Sequence, residues 1–152
     1  MAVISVERVT TAAQMQEALE VRRRVFIEEQ GVPEEEEIDP HDGDPAIVRS
    51  AVHVLASLDG RVVGTGRLLL DYDRGENAHI GRVAVLRETR GVGVGRALMH
   101  ALQDEARRRG FRGITLAAQL HAIPFYERLG YGPRGDVFLD AGIEHRWMDL
   151  EL

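Results

Sequence analysis

The segment Arg90-Gly91-Val92-Gly93-Val94-Gly95 constrains this chain more than any other. It lies between the apolar run Val83-Ala84-Val85-Leu86 and a stretch whose Val94, Ala97, Leu98, Ala101, Leu102 and Ala106 fall on one face of a helix. A strand that feeds a glycine-rich turn and then an amphipathic helix leaves bare backbone N–H groups at the helix start. With the positive end of the helix dipole, those donors form a site for a phosphate or diphosphate. The chain therefore reads as built to hold a phosphorylated cofactor.

Two familiar phosphate motifs do not fit. A Walker loop ends in Gly-Lys-Ser or Gly-Lys-Thr, whereas all 19 basic residues here are arginine. The dinucleotide fingerprint needs Gly-x-Gly-x-x-Gly after a first strand and an acid ~20 positions later. Here the spacing is Gly-x-Gly-x-Gly in mid-chain, and residues 114–118 carry no acid.

The rest of the pattern alternates strands and helices. Residues 3–8 read as a short strand, and Thr11-Ala12-Ala13-Gln14 has the form of a capping box. Met15, Leu19, Arg22 and Phe26 follow at helical spacing, which predicts a helix through about Phe26. Residues 28–45, with three prolines and nine acids, are expected to drape as a loop; Glu34–Glu37 is expected to face solvent. Residues 51–58 and 62–70 read as strands joined at Asp59-Gly60, a two-residue hairpin signal. A turn is expected at 71–77 and a fourth strand at 78–86. After the glycine loop and its helix, which Gly110 stops, come a buried strand at 114–118 and a short helix at 122–129. Two strands, near 137–139 and 144–150, finish the chain. This mixed order implies an α/β or α+β sheet covered by helices.

At 152 residues a single domain is expected. A net charge of −6 argues against nucleic acid as a partner, and Arg107-Arg108-Arg109 reads as a solvated helix end. No signal peptide and no membrane-spanning run is evident, so a cytoplasmic protein is expected. The chain has no cysteine, which excludes a cysteinyl acyl-enzyme and a thiolate metal site.

Arg90, Gly93 and Gly95 form Arg-x-x-Gly-x-Gly, which resembles the acyl-CoA pyrophosphate loop of the GNAT superfamily of N-acetyltransferases. Phe125-Tyr126-Glu127-Arg128-Leu129-Gly130-Tyr131 looks like the Phe-Tyr-x-x-x-Gly-Phe/Tyr signature that closes the GNAT core. It follows the glycine loop by ~30 residues, as one helix, one strand and a turn require. Gln119 and Ala122 stand where many members have Asn-x-x-Ala, with Gln replacing Asn. Phe26-Ile27-Glu28-Glu29-Gln30-Gly31-Val32-Pro33 is similar to the Val-Phe-x-x-Glu-Gln-x-x-Pro of small bacterial ElaA-like proteins, and Gly142-Ile143-Glu144-His145 also resembles that group. The match covers nearly the whole chain.

The resemblance implies a mixed, mostly antiparallel sheet of about six or seven strands flanked by about four helices. It implies a splay between the fourth and fifth strands that takes the pantetheine arm of acetyl-CoA. Backbone groups of Val83 and Val85 would bind that arm, with Ala84 pointing away. Arg90, Gly91, Val92, Gly93, Val94, Gly95 and Arg96 would cradle the diphosphate, and Gln119 would lie beside the arm. Tyr126 is implied as the proton donor to the departing thiolate, and a backbone N–H such as that of Val83 as the oxyanion donor. His145 ranks first and His79 second as the base, with His53 a third strand histidine expected to border the same cleft. For any single histidine a hydrogen-bonded structural role is the alternative. Arg67, His53 and Glu28 are candidates for acceptor contacts; for Arg67 a salt-bridged role weighs equally. No metal-ligand spacing appears. A small-molecule amine is the expected acceptor, with protein N-acetylation or a non-catalytic acyl-CoA sensor as alternatives. Homodimers are common in such folds, and the terminal strands offer pairing edges.

Overall fold

The structure is a computed structural model that describes residues 2–73 and 76–152. The first strand, β1 (Ile4–Arg8), leads into α1 (Ala12–Arg22). The expected capping box is present: the Thr11 hydroxyl accepts from the Gln14 N–H, and the Gln14 side chain accepts from the Thr11 N–H. The helix does not end at Phe26. It widens into a π-helical turn over Arg23–Glu29, capped at Gln30. The acidic stretch that follows is not a plain loop, since it contains the one-turn helix α2 (Glu34–Glu37) and a 3-10 turn at Pro40–Asp42.

Strands β2 (Ala51–Leu58) and β3 (Arg61–Asp73) form the expected hairpin, with Asp59 and Gly60 both at positive φ (51° and 85°). β3 runs longer than expected, through Asp71–Asp73, so only part of the 71–77 turn remains; its Arg74 and Gly75 lie outside the described residues. The order then continues β4 (Asn77–Val85), α3 (Val94–Arg108), β5 (Gly113–Gln119), α4 (Ile123–Arg128), β6 (Gly132–Asp140) and β7 (Ile143–Glu151). β6 begins five residues before the expected Val137, because pairing with β7 continues past a bulge between Arg134 and Phe138.

The seven strands lie in the order β1-β2-β3-β4-β5-β7-β6. Every neighbouring pair is antiparallel except β4–β5, which is parallel and short: Asn77, Ala78 and His79 pair with Gly113, Ile114 and Thr115. Past His79 the two strands part. β4 stays on β3 as far as Val85, and β5 stays on β7 as far as Gln119. The splay thus falls between the expected strands. A bulge adds to it: between the pairs Thr65–Ala84 and Arg67–Gly81, Gly66 faces two residues of β4, and Arg82 takes φ 54°.

Helix α3 covers one face of the sheet through Val94, Leu98, Met99, Leu102 and Ala106, packed with Leu68, Ile80, Ile114, Leu116 and Met148. On α1, Met15 and Ala18 close a second cluster with Val9 and Leu55. The close approach of α3 depends on Gly64 and Gly66 of β3. A β-carbon on Gly64 would stand 3.0 Å from both Leu98 and Val94 and 3.2 Å from the Ala84 carbonyl. Leu98 and Val94 are themselves buried in the core, and the third contact is backbone. Gly64→Ala is therefore expected to lower stability by about 1–3 kcal/mol, as overpacking does. Urea unfolding measures it, and an unchanged midpoint would show that α3 is not held at this distance.

Candidate active site

At the end of β4 the chain turns through Leu86 and a 3-10 turn at Arg87–Thr89 into the glycine loop. Gly91 and Gly93 hold φ of 83° and 100°, the left-handed region open to glycine. Gly93 is the N-cap of α3 and supplies no side-chain acceptor, so the first-turn N–H groups of α3 have no side-chain cap. Those are the bare helix-start amides expected from the glycine spacing.

A cavity of about 980 Å³ begins at this loop and follows the parting of β4 and β5. Its lining brings together Val83, Ala84, Val85, Arg90, Gly91, Gly93, Val94, Gly95, Arg96, Gln119, Tyr126, His79 and His145. Val92 lies on the outer side of the loop, 53% exposed and outside the lining. Ala84 is buried with the core, as the alternation required, while Val83 and Val85 are half-buried. Beyond His79 the cavity-side edge of β4 has no strand partner, and of its backbone groups the Val85 carbonyl accepts from Arg90 Nε at 2.9 Å.

Tyr126, in the first turns of α4, packs edge-on to Phe125 and Tyr131. Burial alone pushes its hydroxyl up to about 12, so the phenol keeps its proton throughout the neutral range. Tyr131 serves the fold instead. Its hydroxyl donates to the Gln103 side chain at 2.9 Å and pins the end of α4 to α3. His145 is buried, with its ring stacked on Phe138. Its Nδ1 lies 2.7 Å from the Ile143 carbonyl. A carbonyl only accepts, so Nδ1 carries the proton and donates, which leaves the lone pair on Nε2.

His79 packs on Tyr72 (4.2 Å between ring centres) and edge-on to Trp147. Among the described residues, its buried Nδ1 has no hydrogen-bond partner. Burial first, then the nearby Arg67 and Arg82 cations, push the imidazole down to about 4. The His79 ring is therefore neutral on the cavity wall.

Three expected residues are elsewhere. His53 does not border the cavity; its Nε2 donates to the His41 carbonyl at 2.9 Å, the structural role weighed against catalysis. Burial pushes its imidazole down, and the Asp42 carboxylate only partly offsets this. Arg67 is 3% exposed and donates through Nη1 to both oxygens of Asp39 and to Asp42, so its salt-bridged reading applies. Glu28 lies on the outside of the π-helical turn, paired with Arg23, and it is Glu29 and Gln30 that reach the cavity.

Nor is the acidic segment solvated throughout, as its composition suggests. Glu37 is buried, and Arg22 of α1 donates to its carboxylate and to both oxygens of Asp42 at 2.7–3.0 Å. The cost of burying Glu37 still dominates and raises its carboxyl above the usual range. The Arg22 guanidinium instead drives the Asp42 carboxyl well below its ordinary value against the effect of burial. Arg82 donates to the Glu36 and Glu37 carbonyls and meets the Glu37 carboxylate at 3.2 Å. Three arginines from α1, β3 and β4 thus fix residues 36–42, whose Glu36 and Glu37 wall the cavity. The sequence carries one sign of this: an arginine at the core-facing spacing of α1, upstream of an acidic run. Among the described residues, no group of three or more histidine or acidic side chains could hold a metal ion. No helix among them is long and apolar enough to cross a membrane.

Residues 15–131 match the acetyltransferase (GNAT) family. The uncharacterized N-acetyltransferase YjcF of Bacillus subtilis is 38% identical over 136 residues, covering 89% of this chain and 91% of that protein. Protein ElaA of Escherichia coli is 31% identical over 143 residues, covering 93% and 90%. The crystal structure of E. coli ElaA superposes with a TM-score of 0.81 at 28% identity, over 97% of this chain and 99% of that one.

The His79 environment has a measurable consequence. The folded ring protonates only near 4, against about 6.5 for a free imidazole, so the unfolded chain takes up the proton first. Above about 6.5 both states are neutral and nothing is lost; as pH falls from there towards 4, stability drops by up to about 3 kcal/mol. His79→Asn is expected to remove that loss. Urea unfolding of both proteins at pH 7 and pH 4.5 tests it, and parallel losses would show that the folded ring titrates normally.

Proposed function

We propose, from the premise that this chain belongs to the acetyltransferase (GNAT) family, that it carries acetyl from acetyl-CoA directly to the amine of a small molecule. Membership makes it an acyltransferase drawing on an acyl-CoA donor. The finer reading rests on one observation above all: a single cavity joins the α3 amides, the unpaired edge of β4, Tyr126 and His145.

The residues present suit the donor. Uncapped amides at Gly91–Arg96 offer the donors that a diphosphate needs, and the free edge of β4 offers the backbone pairing that an amide-bearing pantetheine arm can take up. Acetyl-CoA supplies an activated acyl group as a thioester. The rest is the work of this chain. The Val83 N–H, on the β4 edge beside the bulge, is assigned to the carbonyl oxygen as negative charge develops there. Tyr126, kept protonated by burial, is assigned to give its proton to the departing sulfur. His145 accepts the proton of the attacking amine at Nε2, its ring held by the Nδ1 bond to Ile143. His79, neutral on the same wall, is the second candidate for that role.

A small substrate is favoured because two further chain segments line the same cavity: the arginine-held residues Glu36 and Glu37, and Asp140, Ala141 and Ile143 around the β6–β7 turn. Residues 1–152 are taken as one catalytic unit.

Tyr126→Phe and His145→Gln are each expected to lower kcat by about 10²-fold or more, with the acetyl-CoA KM changed by less than about threefold. Steady-state turnover with a panel of amines reads both. Undiminished turnover in either variant removes that residue's assigned role. Saturable acetyl-CoA binding with no turnover of any amine would instead make the chain a sensor.

A further inference from the structure

Glu29 and Gln30 sit side by side where the π-helical turn ends, and each reaches a different lip of the cavity. Glu29 accepts from Arg90 Nη1 and Nη2, both at 2.7 Å, on the glycine-loop lip. Gln30 and Gln119 exchange a pair of amide hydrogen bonds, 2.9 and 3.3 Å, on the β5 lip. The third guanidinium nitrogen of Arg90, Nε, donates to the Val85 carbonyl at 2.9 Å, at the very end of β4. Every nitrogen of Arg90 is therefore engaged within the protein. It presents no free bidentate fork to an anion.

The geometry points to Glu29 and Gln30 as a two-ended strap that holds the two lips of the cleft at the spacing an acyl-CoA thioester requires. In this arrangement Arg90 is a positioning residue and not a diphosphate ligand. It ties the strap to the loop and fixes the Val85 carbonyl, while backbone amides hold the anion. The inference rests on the acyl-CoA reading above. Two features of the chain support a built device. A π-helical turn is rare and is frequently found at functional sites. Here it changes the facing of successive residues, so that Glu28 points outward to Arg23 while Glu29 and Gln30 both turn to the cavity. Gly31, at φ 74°, then reverses the chain directly after the strap.

The two roles for Arg90 predict opposite signs for one substitution. If Arg90 served the diphosphate, Glu29→Gln would free it and remove a competing negative charge, and coenzyme A would bind more tightly. With a strap, Glu29→Gln loosens the lip and weakens binding. Calorimetry with coenzyme A on the full chain decides. Glu29→Gln and Arg90→Gln are each expected to weaken binding about three- to tenfold, and the double variant no more than the weaker single one. The KM for acetyl-CoA should rise in step, with kcat and the amine KM unmoved; a loss of folded protein alone would lower kcat and leave KM in place. Without any ligand, amide exchange at Gln30–Val32, whose N–H groups bond to Val25, Ile27 and Phe26, should quicken in Glu29→Gln.

Tighter or unchanged binding in Glu29→Gln overturns the strap, as do additive losses in the double variant. No saturable binding of coenzyme A to the unaltered chain overturns the acyl-CoA reading itself, and the strap with it. Saturable binding there, with the wrong sign in Glu29→Gln, overturns the strap alone.

Discussion

The parting of β4 from β5 after three residue pairs is the constraint from which the rest follows. A strand inside a sheet that loses its neighbour exposes a row of N–H and C=O groups, and a buried row of that kind must find other partners. Here the exposed edge faces a cavity, not a neighbouring strand. The bulge at Arg82 and the glycines of β3 keep it that way. The first bends β4 away from the line β5 would need, and the second let α3 press against β3 from the opposite face. The helix that follows the glycine loop and the unpaired edge of β4 are held in one geometry by one set of packing contacts.

Charge holds the other wall. A guanidinium as buried as that of Arg22 is tolerated only when it is paired and hydrogen-bonded, since desolvating it alone costs several kcal/mol. Arg22, Arg67 and Arg82 meet Glu37, Asp39 and Asp42 three against three, and the exchange fixes a segment that has little apolar surface of its own to bury. Such a network gives direction more than stability. It holds residues 36–42 in one place above the cavity, where hydrophobic contacts would let them slide.

What is legible in the sequence is local. The glycine loop, the amphipathic α3, the Asp59-Gly60 hairpin and the Tyr126 segment each carry their signal within a few residues, and the structure places each as expected. The arginine network joins residues 15 to 46 positions apart, and no window contains both partners. Helical spacing puts Arg22 on the inward face of α1, but nothing local marks the acids of residues 34–42 as its partners. His53 shows a second limit. Strand alternation places it on the same sheet face as Arg67, its register partner, yet that position lies under residues 39–42 and away from the splay. Glu28 shows a third. The expected helix stops at Phe26, and no local signal marks the π-helical turn over Arg23–Glu29 that leaves Glu28 outside and brings Glu29 and Gln30 to the cavity.

The absence of lysine ties the charge chemistry to the reaction. Every one of the 19 cations is a guanidinium, which pairs bidentately with carboxylates, as Arg22 does with Asp42 and Arg90 with Glu29. A lysine at any of these places would offer one point charge, and so a poorer clamp. At Arg82 or Arg90, which line the cavity, it would also bring a side-chain amine, the same nucleophile as the proposed acceptor, to the rim of a cavity assigned to an acyl thioester. A guanidinium stays protonated and offers no such lone pair. Arginine therefore serves the strap and the acceptor wall without adding a side-chain amine that could compete for the acyl group.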